Sequence, residues 1–128
     1  MTKHIMALTC DQKIEAVRKG ECRQTIRPVG KREIKPGDQV MFHGWEGRPY
    51  RSTWSWRTEY FEIEGTMDIR FAFKDKIWVR GRDKYMHSEE LEWLAAKDGF
   101  ETVEDMFKWF RKTYGHKLYN MAFRVMWW

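Results

Sequence analysis

The sequence predicts one α+β domain, built on a mostly antiparallel β-barrel of about five or six strands with about three flanking helices. A chain of 128 residues is long enough to bury its own core and short enough for one domain. Segments with strand character outnumber the helical ones and separate them along the chain. The chain also ends on an apolar strand-like stretch, which needs a partner inside a closed or nearly closed sheet, because an unpaired apolar edge invites aggregation.

The first half of the chain carries three predicted strands, at residues 4–8, 20–28 and 39–45, and one predicted helix, at residues 10–20. Thr9 is placed to cap this helix and Gly20 to end it. The β-branched Thr25 and Ile26 favour a strand after the helix. Pro28 stops that strand, because proline has no N–H to donate to a ladder.

The second half predicts a hairpin at 66–73 and 76–81, two helices at 89–99 and 103–115, and a terminal strand at 119–128. Ser88 is placed to cap the first helix, and Thr102 with Asp105 forms a capping signature for the second. One face of the second helix is apolar and is assigned to the core: Met106, Trp109, Phe110 and Tyr114. Trp127 and Trp128 are expected on opposite faces of the terminal strand.

Composition limits the classes of partner. Lys and Arg total 24 against 19 Asp and Glu, a formal net charge of +5. This balance favours anionic partners, although a soluble surface with an excess of Lys and Arg explains it equally well. No stretch approaches the ~20 apolar residues of a membrane span. Two cysteines make no disulfide framework, and four scattered histidines lack zinc-ligand spacing. We therefore expect a cytoplasmic protein with no cofactor, no metal and no membrane partner; its oligomeric state stays open.

Residues 20–28, GECRQTIRP, place polar groups on a strand that does not need them for its own stability. Read with period 2, the stretch puts Arg23, Thr25 and Arg27 on one face. Arginines so spaced are suited to clamp a phosphate or a base edge with bidentate hydrogen bonds. The alternative is a structural salt bridge from Arg27 to an acidic neighbour such as Asp98.

Residues 44–57 interleave tryptophan and arginine. The nucleic-acid-binding candidates in this stretch are Arg48, Arg51, Trp54, Trp56 and Arg57. Aromatic rings stack on bases and arginines hold the backbone, which is how proteins grip single-stranded RNA. The alternative is that the tryptophans face the core while the arginines are solvated. We expect binding from at least part of this stretch.

Four features occur in a recognisable order along nearly the whole chain. They are G-x-x-x-x-T-x-R at 20–27, IKPGDQVMF at 34–42, DGF at 98–100 and FRVMWW at 123–128. This arrangement resembles the ASCH domains, which belong to the PUA-like β-barrel superfamily. The resemblance implies a PUA-like barrel that binds RNA or a modified nucleotide in a cleft between the barrel and its helices.

The resemblance also carries an enzymatic alternative, because small bacterial relatives remove an acetyl group from the exocyclic amine of cytidine. The family signature is G-x-K-x-x-T-x-R, and this chain keeps Gly20, Thr25 and Arg27. Cys22 stands in the place of the lysine, and Asp98 stands where the hydrolytic relatives have a glutamate. If the chain is hydrolytic, its catalytic candidates are therefore Cys22, Thr25 and Asp98.

Cys22 is a chemically different residue from the lysine it replaces. A lysine of depressed pKa can exchange a proton during amide hydrolysis, whereas the neighbouring Arg23 stays protonated. Cys22 becomes a nucleophile only if a base or a positive neighbour forms its thiolate, and otherwise behaves as a small apolar residue. We therefore expect at best slow deacylation of acetylated cytidine.

Three functional classes follow from the sequence. The leading interpretation is an ASCH-type domain that binds RNA or a modified nucleoside in a basic, aromatic-lined cleft. The alternative is an amidohydrolase acting on acetylated cytidine or a related nucleoside. A third class is a protein-interaction module that uses exposed aromatic residues.

Overall fold

The computed structural model of the chain describes residues 1–8, 11–45 and 54–128. The strands in this part of the chain are β1 (Lys3–Ala7), β2 (Gln24–Pro28), β3 (Gln39–Trp45), β4 (Trp54–Arg57), β5 (Phe61–Glu62), β6 (Gly65–Ala72), β7 (Lys76–Val79) and β8 (Phe123–Trp127). The helices are α1 (Asp11–Arg18), α2 (Ser88–Lys97), α3 (Val103–Tyr114) and a 3₁₀ helix (Gly115–Asn120). Thr9, the predicted cap of α1, lies outside the described residues.

The strands form two sheets. In the first, β3 lies between β1 and β4 and also pairs with β5; β1 and β3 are parallel, and the other pairs are antiparallel. The second sheet is antiparallel throughout and has the order β2-β8-β6-β7. The terminal strand β8 is therefore internal, and β2 is an edge strand.

The α+β class with mostly antiparallel pairing is confirmed, but the prediction of a closed barrel of five or six strands is not. The described residues form eight strands in two four-stranded sheets, and no closed barrel is detected among them. The strand number exceeds the prediction partly because β4 and β5 are separate short strands that both pair with β3.

Two apolar cores lie on opposite faces of the second sheet. The first core packs that sheet against α2 and α3 and includes Phe71, Leu94 and Phe110. The second core joins it to the first sheet; its members include Val40, Phe42, Met126 and Trp128. Side chains alternate along a strand, so Trp127 packs against the first core while Trp128 belongs to the second. This confirms that the two tryptophans point to opposite faces.

The helix starts follow local capping chemistry. Thr102 caps α3 as predicted, because its Oγ1 accepts a hydrogen bond of 3.0 Å from the Asp105 N–H. The predicted cap of α2 is wrong by one residue. His87 caps this helix by accepting a hydrogen bond from the Glu90 N–H at 3.3 Å, and Glu90 Oε1 accepts one from the His87 N–H at 3.2 Å. Imidazole nitrogen can accept a hydrogen bond as a serine oxygen does.

Asp38 fastens the start of β3 to the start of β1. Its Oδ2 lies 2.9 Å from His4 Nε2 and accepts a hydrogen bond from the Lys35 N–H at 3.1 Å, while Oδ1 accepts one from the Thr2 N–H at 3.0 Å. The His4 hydrogen bond and the two main-chain N–H groups hold the pKa of Asp38 well below its usual range. Asp38 therefore fixes the parallel register of the two strands.

We predict that Asp38→Asn destabilises the fold by about 1–3 kcal/mol near neutral pH, because hydrogen bonds to a buried carboxylate are lost or weakened. A carboxyl with a lowered folded pKa stabilises the protein above its unfolded pKa of about 3.9. That contribution disappears as the pH falls through the folded pKa. Urea unfolding from pH 7 to pH 2.5 should therefore show a smaller loss of stability for the variant. Equal losses for both chains would contradict this role.

Candidate functional site

A cavity of about 220 Å³ lies beside the edge strand β2. Its walls come from the end of β1, from α1, from β2, from the turn that joins α2 to α3, and from α3. The lining residues are Ala7, Leu8, Lys13, Thr25, Ile26, Arg27, Pro28, Asp98, Gly99, Phe100, Trp109, Phe110, Thr113 and Tyr114. Segments from both ends of the chain therefore meet at one concave site.

Asp98 supplies the negative charge of this cavity. It is the C-cap residue directly after α2, and the turn continues through Gly99 at a φ of 91°, a conformation that glycine adopts without steric cost. Only 4% of the Asp98 side chain is exposed, and its Oδ2 lies 2.9 Å from Lys13 Nζ. The Gln24 side-chain amide donates to Asp98 Oδ1 at 3.4 Å and to the Leu94 carbonyl at 3.1 Å. One carboxylate thus connects α1, α2 and β2.

Burial and charge act on Asp98 in opposite directions. Burial is the larger effect and raises the pKa of its carboxyl, while the Lys13 ammonium, the Gln24 amide and the more distant Arg27 lower it. A carboxylate with a raised pKa is a stronger base than an exposed aspartate. Asp98 is therefore suited to accept a proton from a ligand in the cavity.

Aromatic side chains form an apolar part of the cavity wall. The rings of Trp109 and Phe110 meet edge to face at 4.9 Å between centroids, and Phe100 lies 6.2 Å from Trp109. Tyr114 lies 5.9 Å from Phe110 in a stacked arrangement. Trp109, Phe100 and Tyr114 are half-buried, so they pack on the first core and still reach the cavity. Such a wall can hold a planar ring.

Arg27 brings a second positive charge to the cavity and connects the two sheets. Its Nη2 donates a hydrogen bond to the Ala7 carbonyl at the end of β1. Its guanidinium carbon lies 5.9 Å from the centre of the Phe42 ring in the second core. Asp98, the acidic neighbour considered for Arg27, pairs with Lys13 at 2.9 Å, while Arg27 acts on its carboxyl as a nearby charge. Thr25, which is buried, lines the same cavity.

Cys22 lies outside the cavity walls. It is 2% exposed, belongs to the second core, and its Sγ lies 3.4 Å from the Gln24 carbonyl and 3.5 Å from the Lys97 carbonyl. Burial raises the pKa of its thiol, which disfavours the thiolate. These surroundings favour the inert interpretation of Cys22 over the nucleophilic one.

Among the other predicted binding residues that the structure describes, Arg23, Trp56 and Arg57 do not line this cavity. Arg23 and Arg57 are exposed. Trp56 is half-buried; its indole lies against the Cα of Gly44, and the guanidinium carbon of Arg18 lies 5.3 Å from its ring centre. Three further candidates fall outside the described part of the chain: Arg48, Arg51 and the side chain of Trp54. Of the predicted site residues, the structure therefore brings together Thr25, Arg27 and Asp98.

Lys13 and the aromatic wall were not predicted as site residues from the sequence. Lys13 and Asp98 are 85 positions apart, so no local pattern connects them. Trp109 and Tyr114 follow an apolar helical face, which is also the pattern of core residues. A possible signal was the DGF turn, because Phe100 stands directly after the glycine that ends α2.

The described residues contain no group of His, Cys, Asp or Glu that could hold a metal ion. Among these residues, no helix has the length and apolar character needed to cross a membrane.

The chain matches no protein-family model and no curated protein. Among solved structures, it is similar to the crystal structure of hypothetical protein PH0355, with a TM-score of 0.59 and 20% identity. The similarity covers 98% of this chain and 96% of that one. At this identity it shows the fold alone, which is a small α+β fold shared over nearly the full length of both chains.

We predict that Lys13→Met destabilises the protein at pH 7 by up to about 3–5 kcal/mol, because a buried carboxylate loses its charged partner. The pKa of Asp98 should rise further, since the opposing effect of Lys13 is gone. A carboxyl with a raised folded pKa loses stability as the pH rises from its unfolded value of about 3.9 towards the folded one. Urea unfolding should therefore show a smaller deficit at pH 5 than at pH 7.

The matched control is Lys19→Met, which removes an exposed lysine of the same helical region that pairs with Glu15. Its effect should be much smaller than that of Lys13→Met, because an exposed ion pair contributes little to stability. The double variant Lys13→Met/Asp98→Asn should recover part of the stability at pH 7. A deficit in Lys13→Met that is the same at both pH values would contradict the assignment.

Proposed function

We propose that this chain is an ASCH-type, PUA-like domain that binds one nucleoside unit, free or within RNA, in the cavity beside β2. The observation that carries the proposal is the cavity itself. It combines a half-buried aromatic wall with the Lys13–Asp98 ion pair, whose carboxylate is buried, and with Thr25 and Arg27. A nucleoside has a planar base that can stack, a polar base edge that can pair, and a sugar or phosphate that arginine can hold.

The size of the cavity favours a small ligand. Its volume of about 220 Å³ is below the range of about 300–1,000 Å³ for sites that take drug-sized molecules. A single nucleoside unit therefore suits it better than several stacked bases. The exposed Arg57, which lies outside the cavity, is suited to contact a phosphate of a longer RNA.

The packing of the two sheets supports the PUA-like part of the proposal. Met126 and Trp128 belong to the same buried core as Val40 and Phe42 of β3. The second sheet is extended by main-chain hydrogen bonds from Glu64 N–H to the Trp127 carbonyl and from Trp128 N–H to the Arg23 carbonyl. A core enclosed between two sheets supports the proposal of a barrel-like fold.

We predict that Trp109→Ala weakens binding of cytidine or N4-acetylcytidine about tenfold, because a ring that stacks on a base contributes about 1–3 kcal/mol. Isothermal titration calorimetry on folded variants would measure it, with folding checked by circular dichroism. The control is Trp93→Ala, which removes a tryptophan that is 52% exposed and lies outside the cavity. Equal losses in both variants, or no binding by the unaltered chain, would contradict the proposal.

A second candidate function is hydrolysis of N4-acetylcytidine or a related acylated nucleoside. The specific observation in its favour is the position of Lys13, whose amine lies 2.9 Å from Asp98 in a cavity that Thr25 also lines. The cavity therefore contains the amine, the hydroxyl and the carboxylate that the resembled hydrolases use. The amine comes from α1 instead of from position 22.

These groups can support hydrolysis of the amide by water. Water adds its hydroxyl to the acyl carbon, the bond from that carbon to N4 breaks, and the proton that water gives up reaches N4. Asp98, with its raised pKa, is suited to accept the proton, and the Lys13 ammonium is suited to stabilise the negative charge on the acyl oxygen. The products are cytidine and acetate.

If this second function is present, Lys13→Met and Asp98→Asn should each reduce cytidine release at least 100-fold, because proton transfer contributes about 10²–10⁴-fold. Cys22→Ser should retain activity, because the thiol lies outside the cavity. Release of cytidine from N4-acetylcytidine, separated by liquid chromatography, is the measurement. Rapid turnover that disappears in Cys22→Ser would instead make Cys22 the nucleophile.

A further inference from the structure

The edge of β2, and not only its side chains, faces the cavity. Thr25, Ile26, Arg27 and Pro28 are consecutive and all line it. Successive side chains of a strand point to opposite faces of the sheet. Four consecutive residues can therefore line one cavity only along the strand edge. This edge is open to the cavity because β2 is the first strand in the order β2-β8-β6-β7.

The register of β2 and β8 decides which main-chain groups point towards the cavity. The Trp128 N–H donates to the Arg23 carbonyl at 3.1 Å, and the Val29 N–H donates to the Ala122 carbonyl at 2.9 Å. In an antiparallel pair, alternate residues exchange hydrogen bonds with the partner strand. With Thr25 opposite Met126, the main chains of Thr25 and Arg27 bond to β8. The intervening residues direct their main-chain groups to the open edge.

Three residues of β2 have outward main-chain groups: Gln24, Ile26 and Pro28. The Gln24 carbonyl already accepts a hydrogen bond from the Cys22 thiol at 3.4 Å, and Pro28 has no N–H. Among these three residues, Ile26 therefore presents an N–H and a C=O side by side to the cavity. A peptide that added to this edge as a further strand would need an outward N–H and an outward C=O at every second residue of β2. A small planar ligand needs only one such pair.

We propose that the Ile26 main chain reads the polar edge of the bound base. This inference rests on the nucleoside site proposed above and names its recognition element. The Ile26 N–H donates to an acceptor nitrogen of the base, and the Ile26 carbonyl accepts from the adjacent exocyclic N–H. Cytosine carries this acceptor and donor at N3 and N4. The base then lies in the plane of the β2 edge, beside the aromatic wall and within the same cavity as the Lys13–Asp98 pair.

The ligand-side experiment compares cytidine with two analogues by isothermal titration calorimetry. 3-Deazacytidine lacks the N3 acceptor, and N4,N4-dimethylcytidine lacks the N4 donor. We expect each to bind about tenfold more weakly than cytidine, because a buried polar group loses its partner. Equal binding of cytidine and 3-deazacytidine would overturn the inference and leave the nucleoside site intact. No binding of cytidine at millimolar concentration would overturn both.

The protein-side experiment uses Ile26→Pro, with Ile26→Val as the control. Proline removes the outward N–H and leaves the ladder to β8 intact, which an edge strand tolerates. Cytidine should bind about tenfold more weakly to Ile26→Pro than to Ile26→Val. If Ile26→Pro does not fold, nitrogen-15 NMR of the unaltered chain replaces it. The Ile26 amide should then shift on titration with cytidine more than the amides of Thr25 and Arg27, and an unmoved Ile26 amide would overturn the inference.

Discussion

The position of β8 between β2 and β6 is the constraint on which the remaining structure depends. This strand pairs with both neighbours over its whole length. Its alternating side chains supply Val125 to the first core and Met126 to the second. Because β8 is internal, β2 becomes the edge of the sheet, and its outward main chain is available to the cavity. The last strand of the chain therefore determines where the candidate site can form.

The Lys13–Asp98 ion pair is the second interaction on which the candidate site depends, because it joins α1 to the end of α2 beside the cavity. A buried ion pair contributes little net stability when both partners are present, yet the loss of one partner is costly. With Gln24 on the same carboxylate, the pair also fixes the position of β2 relative to both helices.

Local rules predicted much of the fold. The bounds of β3 and the cap of α3 follow from short-range patterns, namely apolar runs bounded by turn residues and the Thr102–Asp105 signature. The period-2 pattern assumed for residues 20–28 was correct only from Gln24 onwards, where β2 begins. Cys22 precedes the strand, so it packs in the second core, while Gln24 faces Leu94. The ordinary alternation of a strand does not apply before its first residue.

The site was predicted less completely than the fold. Thr25 and Arg27 were identified from the period-2 pattern and from the resemblance to a known family, and Asp98 as a catalytic candidate from that resemblance. Lys13 was not, because its partner lies 85 positions away and a lysine on a helix is most often solvated. The aromatic residues at 44–57 were interpreted as RNA-binding, whereas Trp109, Phe110 and Tyr114 were assigned to the core. In the described structure, the aromatic side chains that line the cavity come from the α2–α3 turn and α3.

The most direct test of the central claim is to map the proposed nucleoside site by NMR. Nitrogen-15 spectra of the chain, recorded during a titration with cytidine, report which backbone amides sense the ligand. We expect the largest amide chemical-shift changes at the cavity, in β2, Gly99, Phe100 and the cavity-facing turns of α3. Shifts confined to residues 44–57, with the cavity amides unmoved, would contradict it.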